Sequence, residues 1–246
     1  MQKENSNLIR VIPMKKEFLG DKKMNDIIYG FLQTNSYLDN RKRYCWKNEV
    51  TAGKIISYFK EQDAESPVCE RTIRNLLKLF IKINLLEEGE LEGKKVYFLP
   101  DSSQPFVQIK TETLRFLVNT ANTNVIKVYA YLKNKWENHV KYKFKDNYRF
   151  SEAELLAAIG YTTINNKNNY LMIKDILQCL QNNELIKIHK EYIKTATGKL
   201  ADYYEIDFVS EDYKHTLSSK AKQEDSCIAY PVAETVVYDY SDGFRF

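Results

Sequence analysis

Glycine and histidine are scarce in this 246-residue chain, with eight of the first and three of the second, and its four cysteines lie far apart. Few glycines leave few loops able to cradle a phosphate. The nearest approach, GELEGKK from Gly89, has one residue too few between its glycines and a lysine where a magnesium-binding Ser or Thr belongs, so it reads as a turn. Cys45, Cys69, Cys179 and Cys227 form no CxxC pair, and His139, His189 and His215 lie near none of them in sequence. Neither a zinc site nor a disulfide framework is indicated, and buried thiols are the expectation. No metal or other cofactor is called for. Long uncharged apolar runs are missing too: LLKLFIKINLL is broken by lysines, and MQKENSNLIRVIPMKKEF lacks the apolar centre of a signal peptide. The expectation is a cytoplasmic protein with no membrane partner. Enzyme signatures are also lacking. There is no His pair for a nickase metal site, no carboxylate cluster for a nuclease and no Ser/His/Asp context, and nothing singles out one of the eighteen tyrosines as a nucleophile. The chain reads as a binding protein, not an enzyme, with no small-molecule substrate.

What is present is the composition of a globular protein, 43% hydrophobic and 28% charged, long enough for two cores of about 100 residues each. The net charge of +4 is unevenly spread. From Ser210 onward seven acids (Glu211, Asp212, Glu224, Asp225, Glu234, Asp239, Asp242) face four bases (Lys214, Lys220, Lys222, Arg245), a balance of −3 that leaves +7 on residues 1–209. That surplus leans toward a polyanionic partner.

The stretch ERTIRNLLKLFIKINLLEEGELEGKKVYFL, residues 70–99, places Ile73, Leu76, Leu77 and Phe80 at i, i+3, i+4 and i+7, one face of a helix. Ser66, with Pro67 in the first turn, reads as its start. VTAGKIISYFKEQ from Val50 is a helix before it, MNDIIYGFLQTN from Met24 an earlier one, and after the turn at Gly89 and Gly93 the chain returns as a strand at Val96–Leu99. The second half repeats this order. FVQIK at Phe106 reads as a strand, then TETLRFLVNTA and NVIKVYAYLKNKWENH as helices. SEAELLAAIG follows as a helix opened by the capping box Ser151 and Glu154, with Phe150 and Leu155 as its staple. NNYLMIKDILQCLQNNELIKI carries Ile173, Ile176, Leu177 and Leu180 at the spacing of the first copy, offset by 100 residues, and a hairpin follows in LIKIHKEYIK and ADYYEIDFV. PDSSQP, residues 100–105, reads as the link, so a cut there is expected to release two separately folding pieces.

Helix, turn, helix and hairpin is the order of a winged helix. TIRNLLKLFIKINLLEE and MIKDILQCLQNNELIKI resemble the third helix and first wing strand of winged-helix DNA-binding domains. The pair resembles the tandem winged-helix replication initiators and DnaD-like replisome organisers of plasmids and phages. The expected fold class is mainly α with small β-hairpins (α+β): two tandem winged-helix domains at 1–100 and 101–209, then a C-terminal tail at 210–246. VVYDY in that tail suits an added strand or a partner-binding segment.

The resemblance implies double-stranded DNA as the partner, with a second copy of the chain or replication proteins as further ones. Arg71, Arg74, Asn75, Lys78 and Lys82 share the outward face of the first third helix, with Thr72 beside them and no acid from Arg71 to Leu86. In a major groove, Arg and Asn can bond base edges while Lys neutralises phosphates. The second third helix offers Lys167, Asn168, Asn169, Lys174 and Gln178, diluted by Asp175, and its hairpin holds Lys187, His189, Lys190, Lys194 and Lys199, a set suited to phosphates. The first hairpin carries Glu87, Glu88, Glu90 and Glu92, which a DNA backbone would repel. A transcriptional regulator, a partition protein and a module that uses winged helices for protein contacts are the rival readings. Most aromatics, such as Tyr129, Tyr131, Phe144 and Phe150, fall at core phase and are expected to pack.

Overall fold

The computed structural model of the chain describes residues 8–11, 25–39, 42–62, 68–100, 107–142, 148–161, 166–194 and 200–208. The link at 101–106, the second hairpin tip at 195–199 and the tail at 210–246 lie outside them. The structure is mixed α+β and divides into two units, Met1–Ala130 and Tyr131–Phe246. No helix among the described residues is long and apolar enough to cross a membrane.

The first unit runs β1 (Leu8–Val11), α1 (Asn25–Thr34), β2 (Tyr37–Asp39), β3 (Lys42–Trp46), α2 (Ala52–Glu61), α3 (Glu70–Lys82), β4 (Glu87–Leu91), β5 (Lys94–Leu99), β6 (Val107–Lys110), α4 (Thr111–Asn119) and the first part of α5 (Thr123–Lys141). Thr51 caps α2 by accepting the Lys54 N–H at 3.4 Å, and Ile55 and Phe59 are wholly buried beneath it. On α3 the four residues of the apolar stripe are all buried, and Phe80 meets the Tyr29 ring of α1 edge-on at 5.5 Å. That burial, at about 1.5–3 kcal/mol per side chain, docks the helix. The helix begins at Glu70 with Cys69 as N-cap, later than the expected start at Ser66 and Pro67, which lie outside the described residues. Val68 and Cys69 are non-helical, and the Cys69 carbonyl accepts the first helical N–H, from Ile73 at 3.1 Å.

The hairpin after α3 is also longer than expected. Glu87–Leu91 forms a strand paired with β5, and the turn shrinks to Glu92 and Gly93, both at positive φ. Gly89 therefore sits in a strand, where a Cβ would lie 2.6 Å from the Phe98 ring that crosses it. The antiparallel sheet has the order β2-β3-β5-β4, and Cys45 of β3 is buried with its thiol donating to the Leu32 carbonyl of α1 at 3.2 Å.

The first unit reaches beyond the expected boundary at 100. β6 pairs antiparallel with β1, Ile9 opposite Ile109. α4 buries Leu114, Leu117 and Val118, and a Cβ at Gly30 of α1 would come within 2.7 Å of Val118 Cγ2. The Tyr58 hydroxyl donates to Asn119 Oδ1 at 3.0 Å, and Thr123 donates to Asp26 Oδ2 at 2.9 Å. The division falls within α5, because strand pairing and helix packing bring residues 107–130 back to the N-terminal half. Cleavage at 100–105 would strip β6 and α4 from the unit they complete.

The second unit holds the rest of α5, then β7 (Tyr148–Phe150), α6 (Glu152–Ala158), α7 (Lys167–Asn182), β8 (Lys187–Lys194) and β9 (Leu200–Asp207). Ser151 caps α6 by accepting the Glu154 N–H at 3.2 Å. The Glu154 carboxylate accepts from the Tyr131 hydroxyl at 2.6 Å and from the Tyr148 hydroxyl, so it serves two tyrosines besides its place in the capping sequence. Both phenols are held well above their usual range, first by burial and then by that carboxylate.

The two units share one order: helix, strand, two helices, then a hairpin whose second strand lies beside the earlier strand. The sheets read β3-β5-β4, with β2 added at the edge, and β7-β9-β8. The offset of 100 holds down to backbone detail. Asn84 after α3 and Glu184 after α7 both take left-handed φ, 59° and 52°, and the next N–H bonds back to Phe80 and Leu180 respectively. Glu184 is exposed, so its Cβ strain is uncompensated by packing. Glu184→Gly is expected to stabilise the second unit by about 0.5–1 kcal/mol in urea denaturation followed at Trp136. No change or a loss would show that the strain is absent.

Candidate nucleic-acid interface

Because the stripe Ile73, Leu76, Leu77 and Phe80 is turned inward, the 3.6-residue period turns Arg71, Arg74, Asn75, Lys78 and Lys82 outward, and all five are exposed. Thr72 is half-buried and engaged at the helix start, its hydroxyl 3.3 Å from the Cys69 sulfur. Hydrogen bonds from Thr72 and the first N–H groups hold the exposed Cys69 thiol below its ordinary value. Burial instead pushes Cys45 up to about 12, so of these thiols only Cys45 matches the expectation of a buried group. One acid belongs to this face although it lies just outside the acid-free stretch: Glu70 accepts from Arg74 one turn on.

The first hairpin is partly balanced by lysines. Lys47 Nζ lies 2.5 Å from Glu88 and 4.7 Å from the Tyr97 ring centroid, and Glu90 stands opposite Lys95. Glu87 and Glu92 are exposed.

Residue by residue, α7 differs from α3. Leu171 stands where Arg71 does and is 47% exposed, Asp175 replaces Asn75, Gln178 replaces Lys78 and Asn182 replaces Lys82. Lys174 corresponds to Arg74 but is half-buried, its Nζ 3.8 Å from Glu152, which also accepts the Tyr204 hydroxyl at 2.5 Å. Asn169 and Gln178 are half-buried. Lys167 and Asn168 are exposed at the helix start, where the Asn166 side chain accepts the Asn168 N–H at 3.0 Å. On β8, Lys187, His189 and Lys190 are exposed. The backbone of Lys194 pairs with Leu200, and Lys199 lies outside the described residues. The cations expected on the second helix are thus not gathered into one outward row, whereas those of α3 are.

No protein-family model, curated protein or solved structure matches this chain.

Proposed function

We propose that both units are winged-helix modules and that the chain is a double-stranded DNA-binding protein. Its role is that of a replication initiator or replisome organiser of a plasmid, phage or other mobile element. The observation that carries this reading is the exposed row of Arg71, Arg74, Asn75, Lys78 and Lys82 on α3, opposite a buried stripe. A helix of this width enters a major groove, where its N-terminal residues lie nearest the bases. Arg71, Arg74 and Asn75 take the base edges, and Lys78 and Lys82 the backbone. In the second unit the phosphate contacts fall to the hairpin, through Lys187, Lys190, Lys194 and Lys199, more than to α7. The repetition of one such module within a single chain supports a role on extended or repeated sites, as initiation requires.

A second reading is favoured by the four glutamates of the first hairpin and by Leu171 and Asp175 on α7: winged helices used for protein contacts. Gel mobility of a random duplex at 50 and 200 mM salt separates the two. DNA binding through several phosphates should weaken by about 10³-fold or more across that range. No retardation at the lower salt would leave the protein-contact reading.

A further inference from the structure

We infer that Glu70 is a positioning residue that sets the specificity of α3 by holding the Arg74 guanidinium. The inference rests on the DNA-reading role proposed above and names the residue that tunes it. Glu70 stands in the first turn, where the helix dipole favours a carboxylate, and accepts from Arg74 Nη2 one turn along. Both side chains remain open to solvent, 48% and 66% exposed, so the pair sits on the surface offered to a partner. An exposed i,i+4 pair contributes little to folding. Its consequence is orientation: one of five guanidinium donors is committed to Glu70, and the others stay available in a fixed plane for the O6 and N7 acceptors of a guanine. Released from Glu70, the guanidinium would be free to meet the phosphates of any sequence, so holding it also keeps affinity for the wrong sequence low. The second repeat lacks this device. Tyr170 occupies the place of Glu70, and Lys174 is drawn to Glu152 of α6.

The test uses the full chain and a preferred duplex selected from a randomised pool. Affinities for that duplex and a scrambled one are measured for the parent, Glu70→Gln, Arg74→Gln and the double variant. Glu70→Gln is expected to raise affinity for the scrambled duplex and to cut the specificity ratio on the order of tenfold. With Arg74 already replaced, the same change should leave the ratio where it stands. Circular dichroism of each variant shows that the helix is retained. An unchanged ratio in Glu70→Gln, or an equal fall in the Arg74→Gln background, overturns the inference while leaving DNA binding intact. A parent chain that retards no duplex sinks the DNA-binding reading itself, and Glu70's role with it.

Discussion

Lys127→Met should destabilise the first unit by about 3–5 kcal/mol at pH 7, because it leaves the Asp26 carboxylate buried without its cation. Lys127 and Asp26 are almost wholly buried, 3.7 Å apart, with Thr123 donating to the same carboxylate oxygen, and together they tie α1 to α5. Burial raises the Asp26 carboxyl above its usual 3.8, and Lys127 and Thr123 pull it back only in part. The sign of the pH effect follows. A carboxyl raised in the folded state binds its proton more tightly there than in the unfolded chain. Stability is therefore lost as pH climbs from about 3.8 through the folded value, and removing Lys127 widens that window. The deficit of Lys127→Met should shrink as the solution is made acidic. Adding Asp26→Asn removes the second charge and should restore most of the loss at neutral pH. Each unit holds one tryptophan, so urea titrations following Trp46 in a Trp136→Phe background report the first unit alone. A deficit under 1 kcal/mol at pH 7 would mean that this pair is not buried.

The helices were legible because they rest on local period. Ile73, Leu76, Leu77 and Phe80, and their counterparts at 173–180, announce a buried face from spacing alone. The β2–β3 hairpin was not legible. Its sequence, YLD and KRYCW, mixes charges with aromatics, and although Tyr44 stacks on Tyr37 within the hairpin at 5.6 Å, β3 is held by a distant partner, β5, whose Phe98 meets Tyr44 at 6.4 Å. The unit boundary was hidden for the same reason. The turn residues at 100–105 look like a linker, but nothing local tells that β6 will return to β1 or that α4 will settle on Gly30. At the candidate site, residue types were readable and partners were not. Glu70 escaped notice because it lies one residue before the acid-free window, although an i,i+4 count from Arg74 would have found it. Lys174 looked like a surface cation because Glu152, which draws it inward, lies twenty-two residues earlier in the chain.

The second large effect is expected on α3. Replacing Arg71, Arg74, Lys78 and Lys82 together by glutamine removes every cation from its outer face. Gln has nearly the helix propensity of Arg and Lys, and none of the four belongs to the buried stripe, so the fold should persist. Single changes divide the roles. Arg71→Ala or Arg74→Ala should cost about 1–3 kcal/mol on a preferred site and much less on random DNA, whereas Lys82→Ala should weaken both alike.

The most direct measurement is the salt dependence of duplex binding by the parent chain and by this fourfold variant. Each cation that meets a phosphate adds about 0.9 to the slope of log K against log salt. The parent should show a steep slope, and the variant should lose about one unit for each of the four that meets a phosphate, with circular dichroism unchanged. Equal slopes and equal affinities for the two proteins would contradict the assignment of α3 to DNA and leave it a packing helix with a solvated face.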